Sequence, residues 1–378
     1  MRDLVEIGMG REARRAYDLS QVEIVPSRRT RSSKEVSTAW QLDAYQFEIP
    51  LVTHPTDAVV SPATAAAVGK LGGLAVLNAE GLWARHADAE GALARVVEAA
   101  DSDDPSAAIR VLQELHAAPI QPDLLAEALA TVRNAGVTVS ARVSPQRARE
   151  LTPMLLAGGV EILVVQGTII SAEHVAVGAA GDEPLNLKDF INSLDVPVVA
   201  GGVGDYRTAM HLMRTGAAGV IVGYGQATAT TTDDILGIGV PMATAIVDAA
   251  AARRDYLDET GGRYVHVIAD GGIGGSGDIA KAIACGADAV MLGEQLADSA
   301  ESPAEGLYWT SAAAHPSLPR SEVTGFAQSD RSLEQVLFGP SSTPYGTVNL
   351  FGALRRAMAK TGYSDLKEFQ RVGLTVRG

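Results

Sequence analysis

The segment GYGQATATTTDDILGIGVP, Gly223 to Pro241, follows the apolar run AGVIV and has the form of a reactive loop at a strand end. Gly223, Gly225 and Gly237 frame it, and it offers Thr230, Thr231, Thr232, Asp233 and Asp234 but neither cysteine, histidine nor lysine. A threonine hydroxyl has a far higher pKa than a thiol and attacks only with a base beside it. The nearest bases in sequence are Asp233 and Asp234. A second motif, ADGGIGGSGDIAKAIACGADAVMLG, places Asp270, Gly271 and Gly272 after one apolar run and Gly293 after the next. Glycines there let backbone N–H groups approach phosphate oxygens, and the start of the following helix adds the positive end of its dipole. Asp270 is then free to accept hydrogen bonds from ribose hydroxyls. The competing reading of these glycines is tight turns and helix packing.

Other reactive types are scattered. The single cysteine, Cys285, lies in AIACGAD before an apolar run and reads as a small buried packing residue. His54 stands at a strand end and is a candidate site residue, His174 in GTIISAEH is within reach of the same end, and His266 inside a strand reads as packed. No set of His, Cys and carboxylate residues has metal-ligand spacing.

These residues need a frame, and the apolar runs supply it. Strands are predicted at Glu48–Thr53, Leu74–Asn78, Val137–Val143, Glu161–Gln166, Val196–Gly202, Ala218–Gly223, Val265–Gly272 and Asp288–Gly293, each followed by a turn and an alanine-rich helical segment. The runs do not alternate with polar residues, so both faces are buried, as in parallel strands between helices. Eight such βα units predict a (β/α)8 TIM barrel occupying residues 1–378 as a single domain, with the two motifs at the carboxyl ends of strands, where barrels hold phosphate and do chemistry. Residues 80–135 exceed what one βα unit needs and read as a helical insertion, with an extra strand expected at Ala108–Gln113. Residues 305–345 lack periodicity and read as a long surface excursion forming a flap or lid, and the end of the chain, from Asn349, has helical spacing that packs back on the barrel.

With 45 acidic against 31 basic residues and a net charge of −14, the chain is a poor partner for nucleic acid or an anionic membrane, and any phosphate must be met locally. One cysteine and no apolar run of membrane length lead to the expectation of a reducing, cytoplasmic setting.

The strand-seven and strand-eight motif, the loop from Gly223, the opening YDLSQVEIVPSRRTRSS and the runs EIPLVTHPTDAVVS and LGGLAVLN resemble the IMP dehydrogenase and GMP reductase family, and together they span nearly the whole chain. The resemblance implies a barrel that binds a purine 5′-monophosphate (IMP, XMP or GMP), assembles as a homotetramer, uses NAD or NADP with a monovalent cation held by loop carbonyls, and exchanges hydride through a cysteine-linked purine. It explains residues 80–135, the place where IMP dehydrogenases usually carry a pair of CBS modules. It implies nucleotide contacts from Thr228, Asp270, Gly271, Gly272 and Gly293, and a cofactor side near Asp57, Gln166 and Gly201.

The departures from the family are concentrated at the chemistry. Aligned through the loop glycines, Thr230 takes the place of the attacking cysteine, Thr232 that of the assisting threonine, and Asp233 that of an arginine. Glu294 replaces a phosphate-binding serine, Gln166 an aspartate that contacts the nicotinamide end, and Gly202 an asparagine. The flap's Arg-Tyr pair has no counterpart; Arg263-Tyr264 leads into strand seven and reads as structural. Two functions follow: a purine-nucleotide-binding relative with a degenerate catalytic loop, regulatory in purine metabolism and able to associate with a true IMP dehydrogenase, or an NAD(P)-dependent oxidoreductase working without a cysteine adduct.

Overall fold

The computed structural model describes residues 4–174, 185–226, 229–325 and 329–377. Eight parallel strands form the central sheet: β1 (Leu51–Thr53), β2 (Leu77–Asn78), β3 (Ser140–Val143), β4 (Ile162–Gln166), β5 (Val198–Val203), β6 (Gly219–Gln226), β7 (His266–Gly271) and β8 (Ala289–Leu292). Each lies beside its sequence neighbours, and β8 pairs with β1. The ring closes where Val52 bridges Leu74, with the Leu74 amide donating to the Leu51 carbonyl at 2.8 Å and the Thr53 amide to the Leu74 carbonyl at 2.9 Å. This is a (β/α)8 barrel.

The physical reason is visible in β4, ILVVQ, buried at all five positions. Apolar residues on both faces of a strand must meet apolar layers on both sides, and the barrel interior and the outer helices provide them. The amino-terminal end is stoppered by a hairpin of Trp40–Leu42 and Tyr45–Phe47, whose Leu42 is fully buried against Gly219 at the start of β6.

All eight expected strands are present, most with trimmed ends, while β5 runs one residue and β6 three residues past the expected end. One expected strand is not: Ala108–Gln113 lies inside the helix Ala107–Ala117. Its buried residues Ala108, Leu112 and Leu115 recur at steps of four and three, the helical period, and the β-branched residues Ile109 and Val111 outweighed that spacing in the sequence reading. Residues 80–135 thus hold three α-helices, Ala89–Ala100, Ala107–Ala117 and Pro122–Asn134, after a short 3-10 helix at Leu82–Ala84. The segment after β8, expected to form a flap or lid, begins in the interior. Tyr308 and Trp309 are fully buried, so the chain passes through the protein there before reaching the surface. At the end, the helix Leu350–Lys360 buries Leu350, Phe351, Leu354 and Met358, as its spacing requires.

Candidate functional site

The carboxyl ends of the strands open onto a cavity of about 540 Å³, within the range of small-ligand sites. Its floor is made by strand ends. Asp270, near the end of β7, accepts a hydrogen bond at 3.0 Å from the side-chain amide of Gln166, the last residue of β4. His54, just beyond β1, puts Nε2 at 3.8 Å from the same carboxylate oxygen. Burial pushes the Asp270 carboxyl up to about 7, and the Gln166 hydrogen bond offsets only part of that. Burial, reinforced by Arg142, pushes His54 down to about 4. At neutral pH His54 is therefore uncharged and gives Asp270 no counter-ion. Its Nδ1 is buried without a partner.

Tyr308 stands edge-on to His54, ring centres 6.4 Å apart. Its hydroxyl is raised well above the usual tyrosine value by burial, then by Asp270 and Glu294. A Cβ at Gly293 would come within 2.7 Å of the Tyr308 ring and 3.0 Å of the His54 Cβ, so glycine at that position is what lets both side chains sit over the end of β8.

On the other side, Arg142 from β3 extends two donors to the Gln166 backbone carbonyl, at 2.7 and 3.1 Å, and its third nitrogen lies 3.4 Å from the Asn78 amide oxygen and 3.5 Å from the Glu80 carboxylate. Arg85 and Arg147 join it, and Arg320 arrives from the segment after β8 with a buried Nε that lacks a partner. This is where an acidic chain gathers positive charge.

The loop after β6 is tied down. A Cβ at Gly223 would fall 2.0 Å from the Asp270 carbonyl oxygen, and φ there is +116°, so only glycine passes. Thr230 donates its hydroxyl to the Gly225 carbonyl and bridges Ser321 through its backbone. Hydrogen bonds from the Thr231 amide to the Arg320 carbonyl (3.2 Å) and from the Glu322 amide to the Ala229 carbonyl (2.7 Å) complete the joint. Residues 310–320 thereby form one wall of the mouth.

The expected residues separate into two groups. Thr230, Thr232, Asp270, Gln166, Gly223, Gly225 and His54 line the cavity together. Among the described residues lining it, Gly271, Gly272, Gly293, Gly201, Asp57, Asp233 and Gly237 are not included. Gly272 packs on Met242, and Gly201 on Ile221 in the barrel wall. Asp57 is buried behind His116, 3.6 Å from its Nε2. Asp233 is exposed, as is Asp234, so neither stands beside Thr230 as a base. Thr228 and the side chain of His174 lie outside the described residues. Gly202 leaves no room for a side chain, since a Cβ would fall 2.0 Å from the Gly223 carbonyl oxygen. Cys285 is buried at the end of the helix Ser276–Cys285, its thiol pushed up to about 11 by burial, and Tyr264 and His266 stand at the opposite end of the barrel.

Sequence reasoning missed Arg142, Tyr308, Arg320 and His116. Arg142 alone carried a signal, an arginine inside SARV, because a buried guanidinium must be held by acceptors.

A parallel barrel with a buried carboxylate and glycine-framed loops at its carboxyl-terminal mouth belongs to the (β/α)8 class, in which sites are built from the loops at that end. The chain belongs to the IMP dehydrogenase / GMP reductase family, whose domain matches residues 16–315. It is 67% identical over 378 residues to an uncharacterized oxidoreductase of Mycobacterium tuberculosis (strain ATCC 25618 / H37Rv), covering 99% of this chain and 100% of that one. It is 36% identical over 203 residues to inosine-5′-monophosphate dehydrogenase of Aquifex aeolicus, covering 49% of this chain and 40% of that protein. The crystal structure of an IMP dehydrogenase/GMP reductase-like protein from Corynebacterium glutamicum superposes with a TM-score of 0.94 at 57% identity, over 99% of this chain and 98% of the other. Among the described residues no helix is long and apolar enough to cross a membrane.

Proposed function

We propose that the chain binds a purine 5′-monophosphate (IMP, XMP or GMP) in the cavity at the barrel mouth and does not perform hydride exchange through a covalent purine, serving as a regulatory or assembly subunit in purine metabolism. The observation that carries this is Thr230: the hydroxyl at the place of the attacking thiol is already donated to the Gly225 carbonyl, and the two carboxylates that follow it in sequence, Asp233 and Asp234, are exposed. An unassisted threonine is essentially never an alkoxide at neutral pH, so covalent attack loses several powers of ten in rate. Nucleotide binding is supported by Asp270, buried without a cation, whose ionised form is stabilised by hydroxyl donors such as a ribose diol.

The nicotinamide end of the family's cofactor finds poor support. Gln166, in place of a carboxylate, is turned to Asp270, and the Arg142 guanidinium grips its backbone. A positively charged oxidised ring would meet a neutral amide where the family resemblance implies a carboxylate. The residues at this end do not fit it.

Calorimetry with IMP, XMP and GMP tests the binding, with Asp270→Ala expected to weaken it by about 1.5–3 kcal/mol, the cost of a lost hydrogen bond to a charged group. Absence of binding by the unaltered protein ends this reading. Absorbance assays of IMP with NAD, and of GMP with NADPH, test the chemistry, and no turnover is expected. Turnover in either direction would favour the second reading, an oxidoreductase without an adduct, for which the observation is an Asp270 carboxyl near 7 beside Tyr308, a group able to exchange protons at working pH.

A further inference from the structure

The two sides of the mouth differ in what they offer an anion. Where β7 and β8 end, groups that would cradle a phosphate are already engaged. At the start of the helix Ser276–Cys285 the Gly274 amide donates to the Asp278 carboxylate at 3.0 Å, and the Ser276 amide to the Gly346 carbonyl at 2.8 Å. Gly271 lies in the sheet opposite Gln226, and Gly293 is buried against Tyr308 and His54. Glu294 adds a carboxylate near enough to help raise the Tyr308 hydroxyl. A helix start attracts anions through free N–H groups and its positive dipole end; here two of those groups are engaged, and Asp278 already supplies the negative charge.

Where β2, β3 and β4 end, the balance is reversed. Arg85, Arg142, Arg147 and Arg320 line the cavity, against the carboxylates of Glu80 and Asp270 among the described lining residues. Their orienting partners are mostly neutral. Arg142 is held by the Gln166 carbonyl, and Arg85 by the carbonyls of Glu80, 2.9 Å from Nε, and Ala118. Arg320 donates from Nη1 to the Leu318 carbonyl at 3.1 Å, with Nη2 3.5 Å from the Thr168 hydroxyl. Arg147 has Glu150, at 2.6 and 3.0 Å, outside the lining. Carbonyls and hydroxyls aim a guanidinium without neutralising it, so the charge is left for a ligand. Burial, then Arg147, lowers the Arg85 guanidinium, and Glu80 and Asp57 offset only part of this. Nη2 of Arg85 and Nη1 of Arg147 donate to nothing among the described residues, and both keep accessible surface. Gln166 ties the two sides together, its amide on Asp270 and its carbonyl on Arg142.

We propose that the arginine side of the mouth is the phosphate subsite: a phosphorylated ligand lies with its phosphate on Arg85, Arg147 and Arg320, in the field of Arg142, and its ribose hydroxyls on Asp270, turned away from the glycine loops after β7 and β8. Guanidinium forks match phosphate oxygens in geometry as well as charge. The proposal rests on the reading of the mouth as a nucleotide site and adds which side takes the phosphate.

Calorimetric titration with IMP and with inorganic pyrophosphate tests it. Pyrophosphate should bind and compete with IMP. Arg147→Gln combined with Arg320→Gln should weaken both at least tenfold, whereas Glu294→Ser, which removes a carboxylate from the glycine side, should leave the IMP dissociation constant within threefold. Circular dichroism checks the fold; should the double variant not fold, Arg147→Gln alone, at a half-buried position, should weaken pyrophosphate at least threefold. Pyrophosphate binding without IMP binding keeps the subsite and ends the nucleotide reading. IMP binding that the arginine variant weakens less than tenfold, or that Glu294→Ser tightens more than threefold, keeps the nucleotide reading and overturns this proposal, as does absence of pyrophosphate binding.

Discussion

At the scale of single residues, the mouth is governed by two groups that titrate in opposite senses. Asp270 gains a proton near pH 7 in the folded protein against an ordinary carboxyl value of 3.8, so between these values the native state holds more protons than the unfolded one, and stability falls as pH rises. His54 and His266, lowered from 6.5 to about 4, do the reverse: their unfolded forms hold more protons in that window, and stability rises with pH until about 6.5. The slopes oppose one another where they overlap. Asp270→Asn removes the falling component, so its melting temperature should climb more steeply than that of the unaltered protein between pH 4.5 and 6.5, and decline less between 6.5 and 8; parallel curves by calorimetry would contradict the assignment. The residue that replaces the nucleophile leads to a separate expectation. Thr230→Cys should yield neither NADH from IMP nor a trapped adduct by mass spectrometry, because Gln166, Gly202 and the missing Arg-Tyr flap pair depart from what the family resemblance implies at the cofactor end, and groups that act as a unit are not rescued singly.

At the scale of elements, strands declared themselves and helices with mixed signals did not. β4 and β6 were legible because unbroken apolar runs between glycine turns leave no alternative to a doubly covered parallel strand. In the helix Ala107–Ala117, β-branched Ile109 and Val111 pointed to a strand, while the buried set Ala108, Leu112 and Leu115 points to a helix. The distinction is measurable: Leu112→Ala should cost about 2–5 kcal/mol in denaturant unfolding, as a fully buried leucine does, and Arg110→Ala, on the exposed face, no more than about 0.5. The site was legible where it rests on strand ends, as at Asp270, Gln166 and His54. It was opaque where tertiary pairing builds it. Tyr308 and Arg320 come from a segment without period, placed by its joint with the loop after β6, and no spacing within residues 305–345 announces that joint.

At the scale of the whole molecule, charge is partitioned: a chain of net charge −14 concentrates Arg85, Arg142, Arg147 and Arg320 at one end of the barrel and exposes carboxylates at the other. Of the two ends, the mouth is therefore the one whose field draws an anionic ligand. The surface also carries an unfinished element. A ribbon of Leu4–Gly8 and Arg11–Arg14 exposes Leu4, Ile7 and Met9, and is fastened to the helix Met242–Thr260 by Arg14 on Asp248. Nearby in sequence to that helix, Ile235, Leu236 and Ile238 are exposed as well. A two-stranded ribbon is marginal alone in water, and clustered exposed apolar side chains mark contact surfaces. In the homotetramer that family membership leads us to expect, these features make the ribbon the predicted subunit contact. Light scattering at micromolar concentration should give four times the 39.3 kDa chain mass, and Ile7→Lys with Met9→Lys should lower that mass without loss of the circular dichroism of the barrel. A clean monomer from the unaltered protein would remove the tetramer, and a variant that remains tetrameric would move the contact away from the ribbon.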